Sequence, residues 1–132
     1  AGVLPYLAVS ICYLGYAERG LGNAARAVEC LTEALRLGLE IRSQWPLVAG
    51  IDLWALLLAD TGQLEQALEL YFSVLPFNYG RMKFDNVMTI HQTVVADIPS
   101  DVVAAIQRRG EVRTLPATAQ EILSEIERRA GG

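Results

Sequence analysis

Glycine and alanine recur at a 40-residue spacing in this chain, and this recurrence constrains the fold more than any other feature. Gly22 and Gly62 are each followed five residues later by an alanine, Ala27 and Ala67. Each glycine lies between two stretches whose apolar residues recur every three to four positions, the spacing of an amphipathic helix. We interpret each unit as a helix, a glycine turn and a second helix, and the pair of units as a weak internal repeat.

Small residues have a physical role where two helices cross. The helix axes can approach to about 8 Å only if the side chains at the contact are small. We therefore predict that Gly15 packs on Ala27 in the first hairpin. Ala55 should pack on Ala67 in the second hairpin, and Ala34 should mediate the contact between the two hairpins.

Caps and helix breakers set the predicted helix boundaries. Gly38 and Gly110 are expected to end their helices, Pro46 suits a first helical turn, and Asn23 and Thr118 are candidate N-caps. The predicted helices are 4–20, 24–37, 47–59, 64–75, 81–96, 101–109 and 119–129. No alternating apolar run competes for a strand, so the sequence predicts an all-α fold.

One domain is the natural expectation for 132 residues. We divide residues 1–132 into a first hairpin at 1–38, a second at 46–76, and C-terminal helices with a cap at 81–130. The chain begins Ala1-Gly2 without methionine, which suggests either a segment of a longer protein or a processed terminus.

Composition excludes two classes of partner. The formal net charge is −4 and the Lys and Arg residues are scattered, whereas nucleic-acid surfaces usually cluster them. No apolar run approaches the roughly 20 residues that cross a bilayer, and no signal peptide is visible. We expect a cytoplasmic protein that binds neither nucleic acid nor membrane.

Residues that carry chemistry are sparse. His91 is the single histidine, so neither a His-rich metal site nor an imidazole relay is available. Cys12 and Cys30 lie in apolar helical surroundings, which favours a reduced pair, although a disulfide between neighbouring helices stays open. We predict a protein that is not an enzyme and that uses no metal or cofactor.

The spacing of the small residues resembles the tetratricopeptide repeat (TPR). The first copy places Leu14-Gly15, Gly22, Ala27, Leu31 and Ala34 at the motif steps, and the second places Trp54-Ala55, Gly62, Ala67, Tyr71 and Val74. The 40-residue period is longer than the usual 34 or so. Such long copies, and the phrase "IPSDVVAAIQRRGEVRTL", are similar to the MalT-like helical regions of large bacterial signal-transducing ATPases and transcriptional regulators.

The resemblance implies a short right-handed superhelix of antiparallel hairpins with C-terminal capping helices. It also implies a concave face lined by the first helix of each hairpin. The motif positions that map to this face are Cys12, Tyr16, Arg19, Asp52, Leu56, Asp60 and Gln92.

We expect this face to bind a partner protein, a peptide or another part of the same polypeptide, as a sensor or scaffold segment does. Two alternatives stay open. One is a pocket for a small-molecule effector, and the other is a structural module that forms a homodimer through exposed apolar hairpin ends.

Overall fold

A computed structural model of the chain describes residues 3–77 and 96–131. Within these ranges the chain is helical and has no β-strand, which confirms the predicted all-α class. The α-helices are α1 (Val3–Gly20), α2 (Ala24–Ile41), α3 (Gln44–Asp60), α4 (Leu64–Val74), α5 (Ser100–Glu111) and α6 (Leu115–Gly131), and a short 3-10 helix (Leu75–Phe77) follows α4. The helix predicted over 81–96 lies, as far as residue 95, outside the described residues.

The two hairpin turns have the same backbone geometry. Gly22 has a φ of 83° and Gly62 a φ of 84°, which is the left-handed region that glycine adopts without steric cost. The next residue in each turn donates its backbone N–H to a carbonyl five residues back, at 2.8 Å from Asn23 to Glu18 and at 2.9 Å from Gln63 to Leu58. These bonds form the Schellman motif that ends many helices.

A third Schellman motif ends α2, and it corrects the predicted end of that helix. Gly38 does not stop α2, which continues to Ile41. Arg42 takes the left-handed conformation instead, with a φ of 55°, and the Ser43 N–H donates to the Gly38 carbonyl at 3.0 Å. Gly38 is buried inside the helix, where a Cβ would lie 3.0 Å from Cδ2 of Leu47. Its small size permits close helix packing.

Replacing Arg42 with glycine is expected to stabilise the protein by about 0.5 kcal/mol. The left-handed conformation costs an L-residue roughly 1 kcal/mol, and the greater freedom of glycine in the unfolded chain offsets only part of this gain. The urea midpoint of unfolding measures the effect. Gly22→Ala is the matched control and should lose about 1 kcal/mol, because it forces alanine to a positive φ. A clearly less stable Arg42→Gly protein would contradict this account.

α3 is the central helix of the described structure. Thirteen of its 17 residues are buried, because it packs against α1, α2, α4 and α6. A helix that is apolar on all sides is stable only in such surroundings. α1 lies parallel to α3, since Tyr6 contacts Trp45 near one end and Arg19 contacts Asp60 near the other. Residues about 40 positions apart in the sequence therefore lie at equivalent heights along the two parallel helices.

The close approach expected at Gly15 is present. A Cβ on this residue would lie 3.4 Å from the Ala27 carbonyl and 2.9 Å from Cβ of Cys30. The alanines of the proposed repeat signature are fully buried; they are Ala27, Ala34, Ala55 and Ala67.

α5 packs against α4, and α6 packs against α3 and α2. Two predicted boundaries are corrected here. Gly110 lies inside α5 and is buried against α4. Thr118 lies inside α6, where its hydroxyl donates to the Thr114 carbonyl at 2.7 Å.

An ion-pair network links these C-terminal helices to α4. The Glu69 carboxylate accepts from Arg109 at 2.9 Å and from Arg113 at 2.7 Å. Arg113 also donates to Glu121 on α6 at 2.7 Å. Partial burial alone would raise the pKa of Glu69, but the two arginines outweigh it and lower the pKa. The network therefore favours the ionised carboxylate at neutral pH.

Candidate functional site

The polar residues predicted to line a groove meet at the contact between α1 and α3. The Tyr16 hydroxyl donates to Oδ2 of Asp52 and also lies 3.3 Å from the Ala49 carbonyl. Asp52 is the one charged residue in the interior of α3 and is only 2% exposed. We call Cys12, Tyr16 and Asp52 the polar seam.

Asp52 carries an unsatisfied acceptor in this seam. Its Oδ1 atom is buried and has no hydrogen-bond partner among residues 3–77 and 96–131. Burial raises the pKa of Asp52 to about 6, although the hydrogen bond from Tyr16 and the nearby charge of Arg19 pull it down. Burial also raises the pKa of the Tyr16 hydroxyl, and the adjacent Asp52 adds to that effect. The seam thus holds one carboxyl that titrates near neutral pH.

Arg19 and Asp60 form the exposed end of the α1–α3 contact. The guanidinium donates two parallel hydrogen bonds to the carboxylate, both 2.7 Å long. Such paired geometry is the strongest form of an arginine–carboxylate contact, but exposed pairs contribute only about 0–1 kcal/mol. Arg19 and Asp60, two of the three charged residues of the predicted groove, are therefore bound to each other.

The structure corrects part of the predicted concave face. Cys12, Asp52 and Leu56 are buried, so these three side chains do not lie on an open groove. For Asp52 the physical reason is the packing of α1 on α3, which brings the Tyr16 hydroxyl onto its carboxylate. Tyr16 is half-buried, and Arg19 and Asp60 stay partly accessible. Gln92 lies outside the described residues.

The cysteines are free thiols, and both are buried. Burial raises the pKa of the Cys12 thiol well above its ordinary value, and the charge of Asp52 raises it further. A thiol with a raised pKa holds little thiolate, which is the nucleophilic form. Cys12 is thus a core residue with weak chemical reactivity.

The outer side of α1 is a different surface, which the sequence analysis did not identify as a site. Six residues spaced three or four apart form a line along it, and we call this line the outer strip. The outer strip consists of Val3, Leu7, Ser10, Leu14, Ala17 and Leu21, all exposed. Residues 3–21 contribute seven of the nine exposed large apolar side chains in the described parts of the chain. A soluble monomer rarely exposes so concentrated an apolar surface without a binding role.

A groove of about 400 Å³ lies between α2, α3 and α6, and no sequence pattern predicts it. Trp54 and Val28 line its wall, and Arg129 on α6 places its guanidinium 5.2 Å from the Trp54 ring centroid. The Arg128-Arg129 pair resembles a solvated helix end in the sequence, because nothing local indicates that α6 folds back onto α3.

The described residues hold no group of three His, Cys, Asp or Glu side chains placed to bind a metal. None of their helices is long and apolar enough to span a bilayer. Comparison of the chain with protein-family models, curated proteins and solved structures finds no match.

Proposed function

We propose that this chain is a non-catalytic interaction module that binds another protein or a further part of its own polypeptide. The wider assignment is a TPR-like C-terminal segment of a cytoplasmic, multidomain bacterial regulator of the MalT-like type. Three features support it: the repeated Schellman turns, the parallel packing of α1 on α3, and the small residues at the crossings. Arrays of this kind act by presenting a surface.

The observation that carries the proposal is the outer strip of α1. Val3 and Leu21 at its two ends are 78% and 74% exposed. Burying such side chains in an interface is favourable by about 25 cal/mol per Å² of apolar surface. No charged residue interrupts positions 3–17, so a partner meets an uncharged and largely apolar surface. The contact is thus on the outside of α1, while Arg19 and Asp60 lie towards the other side of this helix.

A photo-crosslinking experiment tests this function in the natural full-length protein inside its own cells. A photoreactive amino acid at position 14 should give one discrete adduct, because Leu14 lies in the middle of the outer strip. Mass spectrometry then identifies the attached segment as another protein or as part of the same polypeptide.

Val112 provides the matched control position, since it is 81% exposed but lies between α5 and α6. A crosslinker there should give no discrete adduct. A further Leu7→Glu substitution should remove the adduct at position 14 without changing the amount of protein. Equal crosslinking patterns at positions 14 and 112 would mean that the outer strip is not a binding surface.

A further inference from the structure

Four positions of the outer strip, Leu7, Ser10, Leu14 and Ala17, have counterparts on α3 40 residues later, and all four counterparts are buried. Leu7 and Leu14 are 48% and 50% exposed, whereas Leu47 and Trp54 are 3% and 4% exposed. Because α1 and α3 lie parallel and in step with the repeat, the same side of the same kind of helix is open in one copy and buried in the other. The packing around α3 therefore indicates which kind of helix can pack on the exposed side of α1.

α2 covers the first part of this surface of α3, and α6 reaches the part near Trp54, where Arg129 lies 5.2 Å from the ring centroid. Cδ2 of Leu47 lies 3.0 Å from the position that a Cβ on Gly38 would occupy. Further along, Cδ2 of Leu35 lies 2.5 Å from the corresponding position on Gly50. The residue numbers rise on α3 as they fall on α2, so the two helices are antiparallel. A glycine on each helix admits a leucine of the other.

We propose that the outer strip binds the second helix of a further hairpin of the same 40-residue type, which precedes α1 in the polypeptide and packs as α2 packs on α3. This inference rests on the proposed function and names the partner. That helix places a glycine or alanine over Leu7, as Gly38 lies over Leu47. It places a residue smaller than leucine over Ser10, because Ser10 has the Cβ that Gly50 lacks. Its contact face is uncharged, to match positions 3–17 of α1.

The chemistry of the outer strip favours this occupant over other macromolecules. A nucleic acid or an anionic membrane surface requires basic residues, and positions 3–17 contain none. The turn at Arg42 and Ser43 also shows how such a hairpin connects to the next helix. Gln44 is the first residue after that turn, and Leu4 is its counterpart 40 residues earlier in the chain. A preceding hairpin that ends like residues 38–43 therefore leads directly into α1.

A tandem variant tests the inference by supplying this hairpin. Residues 3–43 are joined ahead of residue 4 of the chain, so that the added copy of α2 precedes the original α1. The added copy carries Leu35→Ala, because Ser10 leaves less space than its counterpart Gly50. We expect the tandem protein to remain a monomer and to melt at least about 5 °C higher than the parent chain. Hydrogen exchange in the original α1 should slow by about tenfold or more, because that helix becomes an interior one.

Paired substitutions locate the effect. Leu7→Glu with Leu14→Glu in the original copy should cancel the gain in melting temperature, because two charges then face the added α2. The same pair in the added copy should leave the gain intact, since that α1 is the new exposed end. Circular dichroism checks that every variant is helical.

Three outcomes overturn the inference: an unchanged melting temperature, an equal loss from the pair in either copy, or a parent chain that is a dimer and becomes a monomer on Leu14→Glu. The last outcome would assign the outer strip to a second copy of the chain. These outcomes leave the proposed function standing if the crosslinker at position 14 still captures a partner. Loss of that adduct removes the proposed function itself.

Discussion

Gly110→Ala should destabilise the fold by about 2 kcal/mol or more, which is one of the two largest stability effects that we expect. A Cβ at this position would lie 2.5 Å from the Glu69 carbonyl oxygen and 2.7 Å from Cβ of Phe72. Both contacts are with the backbone or its first side-chain atom on α4, which cannot rotate away. Relief therefore requires α5 to move away from α4. Denaturant unfolding followed by circular dichroism measures the loss.

The matched control is Gly20→Ala at the end of α1. A Cβ there would meet no atom within 4 Å, so only helix propensity changes. Alanine is favoured over glycine in a helix by up to about 1 kcal/mol, and this variant should be slightly more stable. In Gly110→Ala, the steric clash with α4 outweighs the same gain in helix propensity. Equal stability changes for the two variants would show that α5 does not pack closely on α4.

Asp52→Asn should stabilise the protein by roughly 2–3 kcal/mol at pH 7.5, which is the second large effect. The wild-type carboxylate is ionised there although it is buried, and its pKa of about 6 lies about two units above the ordinary 3.8. Each unit corresponds to about 1.4 kcal/mol of difference between folded and unfolded states. Asparagine keeps the shape and an acceptor for Tyr16 but carries no charge.

The sign of the pH dependence follows from the raised pKa. The folded protein binds the Asp52 proton more tightly than the unfolded chain, so this group stabilises the fold fully below about pH 4. That contribution is lost as the pH rises through about 6. Glu69 acts in the opposite sense, because its pKa is lowered and its contribution is lost in acid. Between pH 4.5 and 7, the wild type should therefore lose stability relative to Asp52→Asn.

The comparison of the two proteins at each pH isolates Asp52, because every other ionisable residue is present in both. Asp60→Asn is the control, since Asp60 is partly exposed and pairs with Arg19 at the surface. That variant should lose no more than about 1 kcal/mol and should keep the wild-type slope. A constant stability difference between wild type and Asp52→Asn across this range would disprove a buried, proton-binding Asp52.

The repeat and the helix order are predictable from the sequence because they depend on local periodicity and on glycine at the turns. What glycine does at a given site is less predictable. Gly22 and Gly62 end helices through a positive φ, whereas Gly38 and Gly110 lie within helices at close contacts. The residue type is the same in both roles. Only the tertiary neighbour distinguishes them, so Gly38 and Gly110 appear as stops in a sequence reading.

The polar seam shows a second limit. Motif positions correctly bring Cys12, Tyr16 and Asp52 to one region, yet they do not reveal that these side chains face the core. A signal was present, since Asp52 is the only charge between Ser43 and Ala59, and an otherwise apolar helix has no solvated side. The outer strip was harder to find. Its leucines have the spacing of ordinary core residues, and only the structure shows that none of the described residues covers them.

The position of α6 should affect the way in which the two hairpins unfold. In a simple linear array each unit touches only its neighbours, so such arrays can fray from one end. Here the last helix returns to both hairpins, and Arg129 bonds Gln63 at 3.0 Å across 66 residues of chain. The C-terminal helix therefore links two hairpins that would otherwise unfold one after the other. Weakening the contacts of α6 should divide one cooperative thermal unfolding transition into two.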